Sequence, residues 1–237
     1  MPTELLFRDD AYLPATEATV VAVNDRRGIV LDRTVFYATG GGQPGDSGRL
    51  ERASDGIAVA TAVYGDDKSD VVHVPADGEA LPEVGETLRA VLDWERRHQI
   101  MRIHTSPHLL SVVLPFPVTG GSIGAGEGRL DFAIDGEVPA KEEIEAKLNA
   151  LVAANHAVTS EWITDDELAA NPGMVKTMKV KPPMGSGRVR LIRIGDIDLQ
   201  PCGGTHVRST AEIGRLVIGK MESKGRENRR VRIRFAE

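Results

Sequence analysis

Two pairs of possible metal ligands share one spacing in this chain of 237 residues. His104 and His108 are four positions apart, and so are Cys202 and His206. A helix or a turn points side chains at positions i and i+4 in the same direction, and Zn²⁺ favours four tetrahedral nitrogen and sulfur ligands. The two pairs together offer one thiolate and three imidazoles, which predicts a zinc site. The alternative is a group of core or surface histidines and a buried thiol.

Charge is distributed unevenly along the chain, whose total net charge is −6. Residues 1–93 carry 17 acidic and 8 basic side chains, whereas residues 94–237 carry 18 and 21. Basic side chains concentrate at 175–193 and 220–234, and local patches rather than total charge attract phosphates. These stretches are either solvated strand faces or a nucleic-acid surface. The phosphate contacts that we predict are Lys176, Lys179, Lys181, Arg226, Arg229 and Arg230.

The composition favours a cytoplasmic protein without a membrane partner. No stretch approaches the roughly 20 consecutive apolar residues that span a bilayer. The first residues show no basic segment followed by an apolar one, so we expect no secretory signal. The single cysteine cannot form an internal disulfide, which fits a reducing compartment.

Short β-branched runs between residues 16 and 92, separated by glycine, proline, aspartate and asparagine, predict a small β-barrel or compact sheet. We assign residues 1–93 to this N-terminal domain. It contains a glycine-rich loop at 40–46, which lacks the Gly-Lys-Ser/Thr of a phosphate-binding loop, so no ATP site is predicted. The loop is a tight barrel turn, a surface packed on the second domain, or an RNA contact through Gly41, Gly42 and Gln43.

Residues 94–237 are predicted to form an α+β domain. Asp93 is a suitable N-cap for a helix that carries His104 and His108, and Pro107 is expected to kink or break that helix and displace His108. Further helices are predicted at 139–154 and 165–170. Strands at 189–194, 216–218 and 230–235 alternate apolar and basic residues, which predicts half-buried strands with a cationic outer face. The predicted fold class is therefore α+β, with a small N-terminal barrel followed by an α+β zinc-binding domain.

The two ligand motifs, His104-Thr-Ser-Pro-His108 and Cys202-Gly-Gly-Thr-His206, resemble those of the editing domain of alanyl-tRNA synthetase and of its freestanding relatives, the AlaX-type editing proteins. The loop at 40–46 and the segment at 224–230 extend the resemblance over almost the whole chain, and the N-terminal barrel is similar to the medium-length AlaX type. The resemblance implies that all four motif side chains are zinc ligands. It also implies trans-editing, in which the ester joining serine, or in some members glycine, to the alanine tRNA is hydrolysed.

The resemblance further implies that a hydroxyl group near the strand after the first helix recognises serine, and Thr119 and Ser122 both fit. A zinc peptidase motif would place a glutamate at position 105, where this chain has threonine. We expect the hydroxyls of Thr105 or Thr205 to help position substrate and water. Two coordination modes are therefore alternatives: zinc is bound by all four side chains, or by three of them and a water molecule.

Two other functions are compatible with the same residues. A non-catalytic RNA-binding module with a structural zinc would also use four protein ligands. A cysteine hydrolase would use Cys202 as nucleophile and His206 as base, although this reading leaves His104 and His108 without a role.

Overall fold

The structure, a computed structural model, describes residues 2–52, 55–134, 136–178, 187–223 and 228–236. It divides into two compact units, Met1–His98 and Gln99–Glu237. The division lies five residues after the predicted boundary at residue 93. Within the described ranges, no helix has the length and apolarity required to cross a membrane. Three predicted phosphate contacts, Lys179, Lys181 and Arg226, lie outside the described residues.

The first unit contains a closed barrel, which confirms the prediction. Its strands pair in the order β2-β3-β7-β6-β5-β8, and a separate parallel pair joins β1 and β4. Side chains alternate between the core and the surface, as in β8, where Leu88, Ala90 and Leu92 are buried. The strands are β1 Glu4–Leu5, β2 Ala15–Val23, β3 Ile29–Leu31, β4 Arg33–Thr34, β5 Gly48–Glu51, β6 Gly56–Tyr64, β7 Val71–Pro75 and β8 Thr87–Leu92.

The glycine-rich loop of the barrel unit forms a tight turn, one of its three predicted interpretations. Gly40 and Gln43 exchange backbone hydrogen bonds of 3.1 and 2.9 Å. Between them, Gly41 and Gly42 have φ angles of 55° and 84°. A turn with positive φ at both central positions strongly favours glycine, because a Cβ is strained there. The consecutive glycines are therefore explained by the turn itself.

A buried ion pair anchors the end of this loop. Asp46 accepts a hydrogen bond of 2.6 Å from the backbone N–H of Tyr37 and is paired with the guanidinium of Arg97. Arg97 also donates to the carbonyl oxygens of Ala11 and Val35 at 3.0 and 2.7 Å. Neither charged side chain has appreciable solvent exposure. These hydrogen bonds stabilise the folded unit, because a buried charge without partners costs free energy.

The second unit is α+β, as predicted. Its sheets are β14-β16-β10-β9, with β15 also paired to β16, and β11-β12-β13. Helix α1 begins in the first unit and continues into the second. The elements are α1 Trp94–Val113, β9 Val118–Ile123, β10 Glu127–Ala133, α2 Lys141–Ala153, β11 Val158–Thr164, α3 Asp165–Ala170, β12 Arg188–Ile194, β13 Asp198–Pro201, β14 Leu216–Ile218, β15 Glu222–Ser223 and β16 Asn228–Phe235.

Helix α1 is continuous through Pro107, so of the two predicted effects, a kink or a break, the break is wrong. Asp93 caps its N-terminus as predicted, accepting from the backbone N–H of Arg96 at 3.1 Å. Proline in a helix interior costs about 3 kcal/mol. Five apolar side chains of the helix are fully buried, and burial of each contributes about 1.5 to 3 kcal/mol, which outweighs that cost. They are Ile100, Met101, Ile103, Leu109 and Leu110.

The predicted cationic faces differ between strands. In β16 the arginines alternate with the buried residues Val231 and Ile233, as predicted. In β12 the prediction is wrong for Arg190, which is only 9% exposed. Its guanidinium donates to the carbonyl oxygens of Cys202 and Gly204 at 3.2 and 2.9 Å. The side chain is buried because its guanidinium packs against the backbone carbonyls of the loop that follows β13.

Candidate metal centre

The four candidate ligands meet at one place in the second unit. His104 and His108 come from helix α1, and Cys202 and His206 come from the loop after β13. One ligand atom of each lies within 4.8 Å of the corresponding atoms of the other three. The three imidazoles are less than 9% exposed, whereas Cys202 is half-buried. The predicted set is thus assembled from segments about a hundred residues apart.

The spacing of the donors fits a zinc ion. Zinc bonds of about 2.0 to 2.3 Å in a tetrahedron place neighbouring ligand atoms about 3.3 to 3.6 Å apart. The Sγ atom of Cys202 is 3.5 Å from Nε2 of His104 and 3.3 Å from Nε2 of His206. One thiolate and three imidazoles are also the donor types that zinc prefers. His108 lies in the cluster, although Pro107 was expected to displace it.

A hydroxyl group fixes the tautomer of His206. Thr105 Oγ1 lies 2.9 Å from the carbonyl oxygen of Met101 and 3.2 Å from Nδ1 of His206. Because a carbonyl can only accept, the single hydroxyl proton is directed to Met101 and the Nδ1–H of His206 donates to Thr105. This arrangement leaves the lone pair of Nε2 directed at the cluster, as a metal ligand requires.

His108 is held by a carboxylate. Its Nδ1 lies 3.1 Å from Oδ2 of Asp198, whose side chain has no exposed surface. Lys176 Nζ lies 2.6 Å from Oδ1 of the same carboxylate, and Gln200 Nε2 donates to Oδ2 at 2.7 Å. Burial opposes ionisation of Asp198, but the hydrogen bond from His108 and the charge of Lys176 hold its pKa below the usual range.

Electrostatics within the cluster favour a thiolate. Burial by itself would raise the pKa of the Cys202 thiol, but His104 and the other imidazoles hold it well below its usual range. Burial lowers the pKa of His206 to about 3, so this ring is neutral at pH 7. Burial also opposes protonation of His108, but its contacts with Asp198 and Cys202 raise its pKa to about 9. A thiolate beside imidazoles is ready to bind a cation, which replaces a bound proton.

The other predicted site residues lie at several places. Thr105 and Thr205 are both fully buried. Thr119, on β9, donates to the carbonyl oxygen of Asp131 and accepts from Asn228, while Ser122 stands opposite Arg129 on β10. Gly41, Gly42 and Gln43 belong to the first unit, where Gln43 is 1% exposed.

Two predicted phosphate contacts on described residues are ion-paired. Lys176 bonds to the buried carboxylate of Asp198, so its charge is directed inward. Arg230 forms two hydrogen bonds of 2.7 and 2.8 Å with Asp131. Arg229 donates to Ser223 Oγ at 3.0 Å. The cationic face of β16 is therefore partly neutralised by its own sheet.

Sequence reasoning missed three residues that support the ligands. Arg190 holds the backbone that carries Cys202, and Asp198 and Gln200 stand behind His108. Asp198 and Gln200 precede Cys202 by four and two positions, so alternation along an extended strand places all three on one face. This spacing could have identified Asp198 and Gln200 from the sequence. For Arg190, the sequence pattern is identical to that of a surface strand.

Models of two known families match parts of the chain. The model described as the threonyl and alanyl tRNA synthetase second additional domain matches residues 189–232, which include Cys202 and His206. The model of the class II (A) tRNA synthetases matches residues 12–96, in the barrel unit. The matched regions thus lie in both units.

Full-length similarity links the chain to proteins named for tRNA editing. The alanyl-tRNA editing protein AlaX-M of Methanosarcina acetivorans is 34% identical, over 97% of this chain and 97% of the relative. AlaX-M of Pyrococcus horikoshii is 32% identical over 97% and 96%. The alanine–tRNA ligase of Pyrobaculum aerophilum is 34% identical over 93% of this chain, which corresponds to 25% of the ligase. The chain therefore belongs to the AlaX-M family of alanyl-tRNA editing proteins.

Proposed function

We propose that this protein is a trans-editing deacylase, which hydrolyses the ester joining serine or glycine to the alanine tRNA. The observation that carries the proposal is the cluster of His104, His108, Cys202 and His206, because its donor types and spacing fit a zinc ion. The names of the full-length relatives support tRNA editing as the setting. An aminoacyl ester is activated compared with a peptide bond, so the absence of a glutamate at position 105 is compatible with hydrolysis.

The four cluster residues would hold Zn²⁺, which supplies a Lewis acid when it is bound. The chain's own contribution is orientation. Thr105 presents Nε2 of His206, and Arg190 fixes the backbone carbonyl of Cys202.

We assign Thr105 and Thr205 to the support of the ligands. Both were predicted to help position substrate and water, but neither has exposed surface. A side chain without exposed surface cannot contact a substrate that arrives from solvent. Their effect on the reaction is therefore indirect, through His206 and the loop that carries it.

For recognition of the amino acid we favour Ser122 over Thr119. The hydroxyl of Thr119 already donates to Asp131 and accepts from Asn228. Among the residues that the structure describes, Ser122 has no comparable side-chain hydrogen bond. A site that hydrogen-bonds a substrate hydroxyl discriminates strongly against an analogue without it. Ser122→Ala is expected to slow removal of serine more than removal of glycine.

For tRNA binding we propose Arg229 and Arg230, together with the turn at Gly41 and Gly42. Each phosphate contact contributes about one unit to the slope of log affinity against log salt. Reversing the charge of Arg229 is expected to reduce that slope by about one. An unchanged slope would remove Arg229 from the interface.

The proposal is tested by the rates at which zinc-loaded protein removes serine, glycine and alanine from the alanine tRNA. Rapid release of serine or glycine, with alanine spared, is the expected result. The alternative is a non-catalytic RNA-binding module with a structural zinc, which is favoured by the close approach of four protein donors. That alternative predicts tRNA binding without release of any amino acid.

A further inference from the structure

Asp198 is a fully buried carboxylate in contact with a candidate metal ligand. Its Oδ2 atom accepts from Nδ1 of His108 at 3.1 Å and from Nε2 of Gln200 at 2.7 Å. Its Oδ1 atom accepts from Nζ of Lys176 at 2.6 Å. Three donors thus surround a side chain with no exposed surface.

The surrounding residues are arranged by both segments that carry the ligands. Asp198 and Gln200 lie at alternate positions of β13, the strand that leads to Cys202. Ser111 follows His108 by three residues in helix α1, and its hydroxyl donates to the carbonyl oxygen of His108 at 2.8 Å. The same hydroxyl accepts from Gln200 at 3.0 Å. The carboxylate is therefore held rigidly relative to the imidazole.

Packing alone does not account for this arrangement. A buried carboxylate costs free energy unless it is paired and hydrogen-bonded, and an apolar residue of similar size would avoid the cost. Metal-ligating histidines commonly donate their second ring N–H to a carboxylate, which fixes tautomer and ring orientation. Because Nδ1 of His108 faces Asp198, its Nε2 is the atom left for the cluster. The charge of Lys176 offsets that of the carboxylate, so the donor set gains orientation without an additional net negative charge.

We propose that Asp198, held in place by Lys176 and Gln200, is a positioning residue that orients His108 for metal binding. The proposal rests on the proposed function only in taking the four-donor cluster as a metal site. It assigns Lys176 to the interior of this network in place of a phosphate contact.

The test measures zinc affinity without tRNA, by competition with a chromophoric chelator. Asp198→Asn is expected to weaken zinc binding about 10- to 100-fold. Asp196→Asn is the matched control, because Asp196 is exposed and lies two residues away. Asp196→Asn is expected to bind zinc as the parent protein does. Failure of the deacylase proposal would leave these affinities unaffected, so the two proposals fail separately.

Removing the carboxylate deprives Lys176 of its anionic partner. The double variant Asp198→Asn/Lys176→Met therefore keeps the test valid if the single variant fails to fold. It removes both charges and is expected to show the same loss of zinc affinity. Cobalt substitution gives a second measurement, because the visible spectrum of bound Co²⁺ reports ligand geometry, which a purely structural role would not alter. Parental zinc affinity and a parental cobalt spectrum in the folded variants would overturn the proposal.

Discussion

Replacing Thr105 by valine is expected to weaken both the fold and the metal site. Valine has nearly the same shape but no hydroxyl, and the position has no exposed surface. The Nδ1–H of His206 and the backbone N–H of Val207, now 3.2 and 3.4 Å from Thr105 Oγ1, would lose their acceptor. An unpaired buried donor costs about 1 to 3 kcal/mol, and the longer contact adds little, so we expect a loss of about 2 kcal/mol.

The zinc affinity of Thr105→Val is expected to fall at least about 10-fold, because His206 can then turn or change tautomer. Denaturant unfolding of the zinc-free protein measures the first effect, and chelator competition measures the second. Thr105→Ser keeps the hydroxyl and is the matched control, with near-parental zinc affinity expected. The reasoning is refuted if valine leaves zinc affinity unchanged, or if serine lowers it as much as valine does.

Three further predictions concern the barrel unit. Asp46→Ala is expected to cost about 3 to 5 kcal/mol in the free energy of unfolding, because it strands the buried charge of Arg97; a loss below 1 kcal/mol would show that the pair is dispensable. Gly45→Ala is expected to lower the melting temperature more than Gly78→Ala does. A Cβ at Gly45 would clash with the backbone oxygen of Ala62, 2.0 Å away, whereas Gly78 has a positive φ but open space around it. Equal effects of the two substitutions would contradict this clash. Burial lowers the pKa of His73 from 6.5 to about 4, so between these pH values the unfolded chain binds more protons than the folded one. The free energy of unfolding is therefore highest above pH 6.5, and about 3 kcal/mol of it is lost as the pH falls to 4. His73→Gln should flatten that part of the stability curve, and a curve parallel to the parent's would argue against a buried neutral imidazole.

Local pattern and spacing were sufficient for much of the fold. Short β-branched runs separated by turn-forming residues predicted the barrel strands, and Asp93 was recognisable as a helix cap because capping depends on neighbouring residues. The clustering of the four candidate ligands was predictable because zinc demands particular donors at particular spacings, whatever the distance between the motifs.

What the sequence did not reveal depends on distant partners. Asp198 acts on a histidine 90 positions away, and Arg190 is buried by carbonyls that approach only in the folded unit. Pro107 satisfies a local rule for breaking a helix, but burial of the surrounding apolar side chains overrides that rule. Lys176 belongs to a basic stretch, yet its charge is committed to an interior carboxylate.

The central claim, metal-dependent deacylation, is tested most directly by serine release from the alanine tRNA in one set of matched preparations. These are zinc-loaded protein, chelator-treated protein, chelated protein resupplied with zinc, Cys202→Ala, and the control His156→Ala, whose histidine is outside the four-donor cluster. We predict that chelation and Cys202→Ala abolish serine release, that zinc restores the chelated protein, and that His156→Ala retains parental activity. Full serine release by protein proven to be free of metal, or none by fully loaded protein, would contradict the account.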